Sequence, residues 1–205
     1  AAVLYGLFAS VLTGFEAAHH LTRGGPGSEL SAMVYGEYFP NPAVALQQGW
    51  SAGTVSLIQA MLAEALGTAF LAFFVFAVTE STNTGGPGRH LTPLFIGLTV
   101  AILISVIAPL TQAGFNPARD FGPRLFAWIA GWGAVAIPGP RGGFFTVYIL
   151  SPFIGALAGA GCFQCITRKG ISATERTILP MNVKKTRLIL VGGFLGSGKT
   201  TLLWE

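Results

Sequence analysis

Gly114-Phe115-Asn116-Pro117-Ala118-Arg119-Asp120-Phe121-Gly122-Pro123-Arg124 packs a helix start, a cation and an acid into eleven residues. Pro117 suits the first turn of a helix, where it has no N–H to lose. Asn116 is then the cap: backbone groups can hold its side chain while its amide N–H₂ faces a cavity. A helix that starts here directs its positive end at whatever lies in front of it. Such an end, set at mid-membrane, offers donors to a passing hydroxyl or water and repels cations, hydronium included. Arg119, one turn along, adds a permanent charge on a rigid donor fork. Within a membrane such a residue points to function. Asn-Pro-Ala alone fits an ordinary surface turn equally well; the full string between two apolar runs is far more specific.

The neighbouring sequence supplies those runs. Leu57–Val78, Leu91–Leu110 and Phe144–Ile166 each reach the roughly 20 apolar residues a bilayer crossing needs. Ala1–Phe15 is apolar but shorter, and it lacks the basic leading region and small-residue cleavage site of a signal peptide. It reads as a span that begins upstream of this sequence. Arg168, Lys169, Arg176, Lys184, Lys185 and Arg187 follow the last run, so the positive-inside rule makes the C-terminus cytoplasmic. Counting back, loop 79–90 with Arg89 is cytoplasmic and loop 16–56 is external. Trp50, Trp128 and Trp132 then fall near the outer interface, where amphipathic rings prefer to sit. Segment 111–143 leaves the outer surface and returns to it, and its apolar stretch Phe121–Ala130 is too short to span. That pattern predicts a re-entrant half-helix, tolerated where protein or a water-filled cavity surrounds it.

Composition agrees. The chain has 205 residues, 52% hydrophobic and 10% charged, with a mean hydropathy of +0.63. Soluble domains carry about a quarter charged residues, which argues against a water-soluble fold. Residues 1–166 hold five basic and six acidic side chains, whereas 167–205 hold seven basic and two acidic. The net charge of +4 therefore belongs to the tail. The body has too few cations for a phosphate-tracking face, so nucleic acid is excluded as its partner. Two cysteines exclude a disulfide scaffold.

Residues 114–133, running on through Phe126-Ala-Trp-Ile-Ala-Gly-Trp-Gly133, resemble the second Asn-Pro-Ala loop of the major intrinsic protein family, the aquaporins and glycerol facilitators. The resemblance covers about residues 1–168. It implies an all-α membrane protein, an aquaporin-like helical bundle of which this sequence holds about four spans and one re-entrant half-helix. It also implies a passive channel for glycerol, water and other small uncharged solutes, lodged in the lipid bilayer and tetrameric at full length. By resemblance the pore wall comprises Gly114, Asn116, Pro117, Ala118 and Arg119, with Arg119 matching the filter arginine. Ala113 falls where glycerol facilitators often carry an aromatic. Ile104 falls where water channels carry His and glycerol channels Gly. An Ile/Ala/Arg set puts an apolar wall opposite a donor fork, without an imidazole to narrow it. Asp120 and Arg124 match the glycerol-facilitator type. Residues 1–205 alone are expected not to conduct, since the first Asn-Pro-Ala box and the fourth filter residue are expected upstream.

Asn41-Pro42-Ala43 is a second Asn-Pro-Ala triplet. The family separates its two boxes by three spans, and only two apolar runs lie between Asn41 and Asn116. The context Tyr38-Phe-Pro-Asn-Pro42 instead resembles the external loop before the fourth span. Glu64 stands within an apolar run, where a carboxylate costs several kcal/mol unless hydrogen-bonded. The resemblance suggests that it braces the backbone of the re-entrant loop; a proton relay in a coupled transporter is the other reading.

Gly155 and Gly159 fit close helix packing by small residues. Cys162 and Cys165 read as buried thiols, and His19 and His20 as solvated loop residues. No catalytic constellation is apparent, so no enzymatic activity, cofactor or metal is expected in the body. The tail differs. Leu188–Val191 reads as a short strand running into Gly193-Phe-Leu-Gly-Ser-Gly198-Lys199-Thr200, a G-x-x-x-x-G-K-T phosphate-binding loop. It resembles the start of P-loop GTPases of the cobalamin-synthesis W type. The expected organisation is thus a channel part over 1–168, a linker over 169–180 and a P-loop start over 181–205.

Overall fold

The computed structural model describes residues 1–168 apart from Thr82 and Thr84. The linker and the P-loop start, with Gly193, Gly198, Lys199 and Thr200, lie outside the described residues. Seven α-helices carry the fold: α1 (Ala2–Ala18), α2 (Glu29–Ala32), α3 (Pro42–Gln48), α4 (Leu57–Thr79), α5 (Gly88–Thr111), α6 (Pro117–Ala127) and α7 (Ser151–Cys162). No strand occurs among the described residues.

Helices α4 and α5 and the segment Phe144–Ile166, which contains α7, are long and apolar enough to cross a membrane; α1 is apolar but shorter. In hydrocarbon every backbone polar group needs an internal partner, and a continuous helix provides one. Helix α4 opens on a capping box, with Gln59 N–H donating to Ser56 Oγ at 3.2 Å and Ser56 N–H to Gln59 Oε1 at 2.9 Å. Helix α4 packs against both α5 and α7. Small residues set the α4–α7 approach: a Cβ on Gly155 would lie 2.2 Å from Ala65 O, and one on Gly159 2.1 Å from Ala69 O. Two contacts four residues apart on both helices are the small-xxx-small pattern of membrane bundles. This face of α7 also buries Ser151 and Pro152. Cys162 and Cys165 lie off it and are exposed, which corrects the expectation of buried thiols.

Helix α6 has 11 residues, about 16 Å at 1.5 Å each, or half of a ~30 Å hydrocarbon core. Its C-terminal end and the segment after it join α1 and the segment between α2 and α3 in a cap whose core holds Leu12, Tyr35, Tyr38, Ala127 and Trp132. Trp132 is fully buried, and its indole N–H donates to Ser31 Oγ at 3.0 Å. The Arg23 guanidinium lies 4.4 Å above its ring while pairing with Glu16 at 2.9 Å. With donor and ring face both engaged, Trp132 belongs to the cap core, not to an interfacial belt. Trp128 remains half-exposed.

Candidate functional site

The site begins where α5 ends. Gln112, Ala113 and Phe115 all have left-handed backbones, with φ of 63°, 59° and 52°. Each such residue costs on the order of 1–3 kcal/mol and persists only where its surroundings hold it. Glu64 of α4 is the main hold. Its Oε1 accepts from Thr111 Oγ–H at 2.6 Å and from Gly114 N–H at 3.0 Å, and its Oε2 from Phe115 N–H at 2.7 Å. Glu64 is fully buried, so these three donors meet its desolvation. Gly67, one turn along, gives Phe115 its space: a Cβ there would lie 2.1 Å from the Phe115 ring. Tyr148 closes the far side, its hydroxyl donating to Thr111 O at 3.2 Å.

Beyond the loop, Pro117 takes the first position of α6 and Asn116 caps it. Asn116 Oδ1 accepts from Ala118 N–H at 3.0 Å and Arg119 N–H at 3.2 Å. Its Nδ2 makes no hydrogen bond among the described residues, and Asn116 and Ala118 are exposed. The guanidinium of Arg119 folds back over the loop, with Nη1 donating to Ala113 O at 3.2 Å and Gly114 O at 3.1 Å. The same nitrogen meets Glu37 Oε1 at 2.7 Å. Arg119 and Asn116 thus present donors side by side at the start of α6.

Asp120 and Arg124 point the other way. They form an ion pair of 2.8 Å, fully buried on both sides. Asp120 Oδ1 accepts from Glu37 N–H at 2.6 Å, and Arg124 donates to Ala136 O at 3.0 Å and to Glu37 O. The pair clamps α6 to the loop that carries Glu37. Gly36 permits this, since a Cβ there would lie 3.0 Å from the Arg124 guanidinium carbon. Gln112 adds a second clamp, accepting from Tyr38 N–H at 2.8 Å and donating to Met33 O at 3.3 Å.

The filter residues expected by resemblance are not all alike. Ile104 lies two turns before the end of α5 and is exposed. Ala113 is 1% exposed and contributes its carbonyl to Arg119. Its backbone is left-handed and its side chain is buried within the loop.

Sequence reasoning missed Glu37, Gln112 and Tyr148 as partners of this loop. For Glu37 a signal was present: an acid between Tyr35-Gly36 and Tyr38-Phe39, in a body with six acids in all. Burial pushes its carboxyl up to about 7, against the pull of Arg119. A cavity of about 570 Å³ lies between Leu21, Glu37, Tyr38, Trp50 and Arg141, and neither Asn116 nor Arg119 lines it.

Comparison with known proteins now bears on these positions. A profile described as "Major intrinsic protein" matches residues 8–163. This chain belongs to the major intrinsic protein family. It is 39% identical over 165 residues to a glycerol uptake facilitator protein of Shigella flexneri, covering 80% of this chain and 54% of that one. It is 40% identical over 172 residues to a propanediol uptake facilitator of Salmonella typhimurium, covering 83% and 60%. The chain therefore spans little more than half the length of these relatives. In fold it is similar to the X-ray structure of the aquaglyceroporin from Plasmodium falciparum, with a TM-score of 0.64 at 17% identity, covering 84% of this chain and 60% of that one. The major intrinsic protein fold is thus an integral membrane bundle here, with α6 as its half-length helix.

Proposed function

We propose that these residues form one half of the wall of a passive channel for glycerol, water and other small uncharged solutes. The observation that carries this reading is the start of α6. Asn116 keeps its amide donors unengaged among the described residues while its oxygen caps the helix, and Arg119 stands beside it. Hydroxyl solutes would accept hydrogen bonds there in passing, and the helix end together with Arg119 would repel cations. The names of the relatives, facilitators of glycerol and propanediol uptake, support the same solute class. Ile104 would face the constriction as its apolar wall. Four spans, α6 as a re-entrant half-helix, a cytoplasmic C-terminus and a tetramer complete the proposal. Glu64 fits a brace better than a proton relay, because both its oxygens already accept hydrogen bonds.

Stopped-flow light scattering on vesicles tests this, using the gene product containing residues 1–205 expressed from its natural start codon. Glycerol permeability above that of empty vesicles, independent of any pH gradient, is expected. Permeability equal to that of empty vesicles would refute the channel reading.

The tail supports a separate proposal: 169–180 is a linker and 181–205 begins a phosphate-binding loop, with Gly193, Gly198, Lys199 and Thr200 as its motif. This start belongs either to a neighbouring reading frame joined to the channel or to a fusion, and genomic DNA across codons 170–215 decides between them: a continuous frame into a full nucleotide-binding domain favours the fusion and refutes the joined frame.

A further inference from the structure

We propose that Cys162 and Cys165 form a two-coordinate site for a soft monovalent metal ion of the Cu(I) class, at the end of the last membrane-crossing segment. The site shares no residue with the start of α6, so the inference stands or falls independently of the channel reading above.

Spacing and anchoring bring the two sulfurs together. Cys162 closes α7, and Cys165 lies in the wider helical turn Phe163–Arg168 that continues it. Phe163 between them keeps helical dihedrals, with φ of −58° and ψ of −50°. Its side chain is buried, because its ring stacks on Phe76 and meets Phe73 edge-on, each at 5.9 Å. That contact turns the Phe163 side of the helix toward α4 and fixes its rotation. Both cysteines are exposed. Buried thiols are inert, whereas accessible ones can meet an ion.

The spacing separates a metal bridge from a direct bond. Residues three apart on a helix are surface neighbours with Cβ atoms about 5–6 Å apart. A disulfide needs roughly 3.5–4.5 Å between its Cβ atoms, so forming one would distort the turn. A sulfur–metal–sulfur bridge, with bonds of about 2.3 Å each, spans the gap.

The number of ligands then selects the ion. No group of three or more His, Cys, Asp and Glu side chains that could hold a metal occurs among the described residues. Structural zinc takes four protein ligands and an iron–sulfur cluster four, so two sulfurs suit neither. Soft thiolates select Cu(I). On binding, each thiol gives up its proton to water and forms one sulfur–copper bond. The bis-thiolate complex carries one net negative charge, and no electron is transferred. The basic run that begins with Arg168 and Lys169 follows at once in the sequence. The proposed cytoplasmic C-terminus puts the pair on the reducing side of the membrane, where thiols persist.

Cu(I) titration of the full gene product in detergent, under argon and against bicinchoninate, tests the proposal. The coloured copper–bicinchoninate complex reports how much Cu(I) the protein withdraws. Wild type is expected to withdraw one Cu(I) per chain more than the double variant Cys162→Ser/Cys165→Ser. Each single serine variant should bind that ion at least about tenfold more weakly, since losing a ligand costs no less than losing an outer-shell partner. Excess Zn(II) should leave the uptake unchanged. Equal uptake by wild type and double variant, or displacement of the bound copper by Zn(II), overturns the proposal. Alkylation by N-ethylmaleimide, read by peptide mass spectrometry on the wild type, needs no variant. Both cysteines should react in the metal-free protein, and one equivalent of Cu(I) should protect both. Alkylation at the same rate with and without Cu(I) overturns the proposal.

Discussion

Asn41-Pro42-Ala43 and Asn116-Pro117-Ala118 begin two helices in the same way. Each asparagine oxygen accepts from the next two free backbone N–H groups, at 3.0 and 3.3 Å for Asn41 and 3.0 and 3.2 Å for Asn116. Each proline occupies the first helical position. The difference lies in the other end of the amide. Asn41 Nδ2 donates to Ala108 O at 2.9 Å, and Asn41 N–H meets Pro109 O at 3.3 Å. Asn41 thus caps α3 and also ties it to the last turn of α5, sharing Ala108 O with Gln112 N–H and covering Pro109 O. Asn116 spends its oxygen on the cap and leaves its donors facing outward. Residue four is Val44 in one case and Arg119 in the other. The triplet therefore dictates a helix start, and the surroundings decide whether its donors are structural or available to a solute.

Several changes would break or sharpen this contrast. The largest effect is expected at Glu64, which holds the loop before Asn116 through three hydrogen bonds. Glu64→Ala leaves three buried donors without an acceptor, at about 1–3 kcal/mol each, so little folded protein should survive detergent extraction and thermal melting. Next is Gly67→Ala, whose new methyl would overlap Phe115; overpacking of this kind costs about 1–3 kcal/mol, and the melting temperature should drop with glycerol permeability. Smaller still is Asn41→Ala, which removes a cap and the latch onto α5. It should cost about 1–2 kcal/mol in a denaturation series and leave the glycerol-to-water ratio unchanged.

Much of this was legible in the sequence. Three apolar runs of spanning length mark α4, α5 and Phe144–Ile166, because hydrocarbon demands long self-satisfied helices. The short helix at 117–127 was legible in Asn116-Pro117 and in its sub-spanning length. The separation of the two triplets was readable from the number of runs between them. What was not legible depends on contacts far apart in sequence. Glu37 reaches Arg119 and Asp120 across 82 and 83 positions, and no local pattern announces such a pairing. The burial of Trp132 by Ser31 and Arg23, and that of Ala113 within the loop, are tertiary outcomes of the same kind.

The central claim is that the two asparagines share a cap but not a role, and Asn→Asp at each position tests it most directly. Aspartate caps a helix about as well as asparagine, so the exchange removes the amide donors and keeps the acceptor. Glycerol permeability per reconstituted molecule should fall at least about tenfold for Asn116→Asp, the loss of one solute hydrogen bond, and stay near the wild-type value for Asn41→Asp. Equal losses at both positions, or a loss at Asn41 alone, would contradict it.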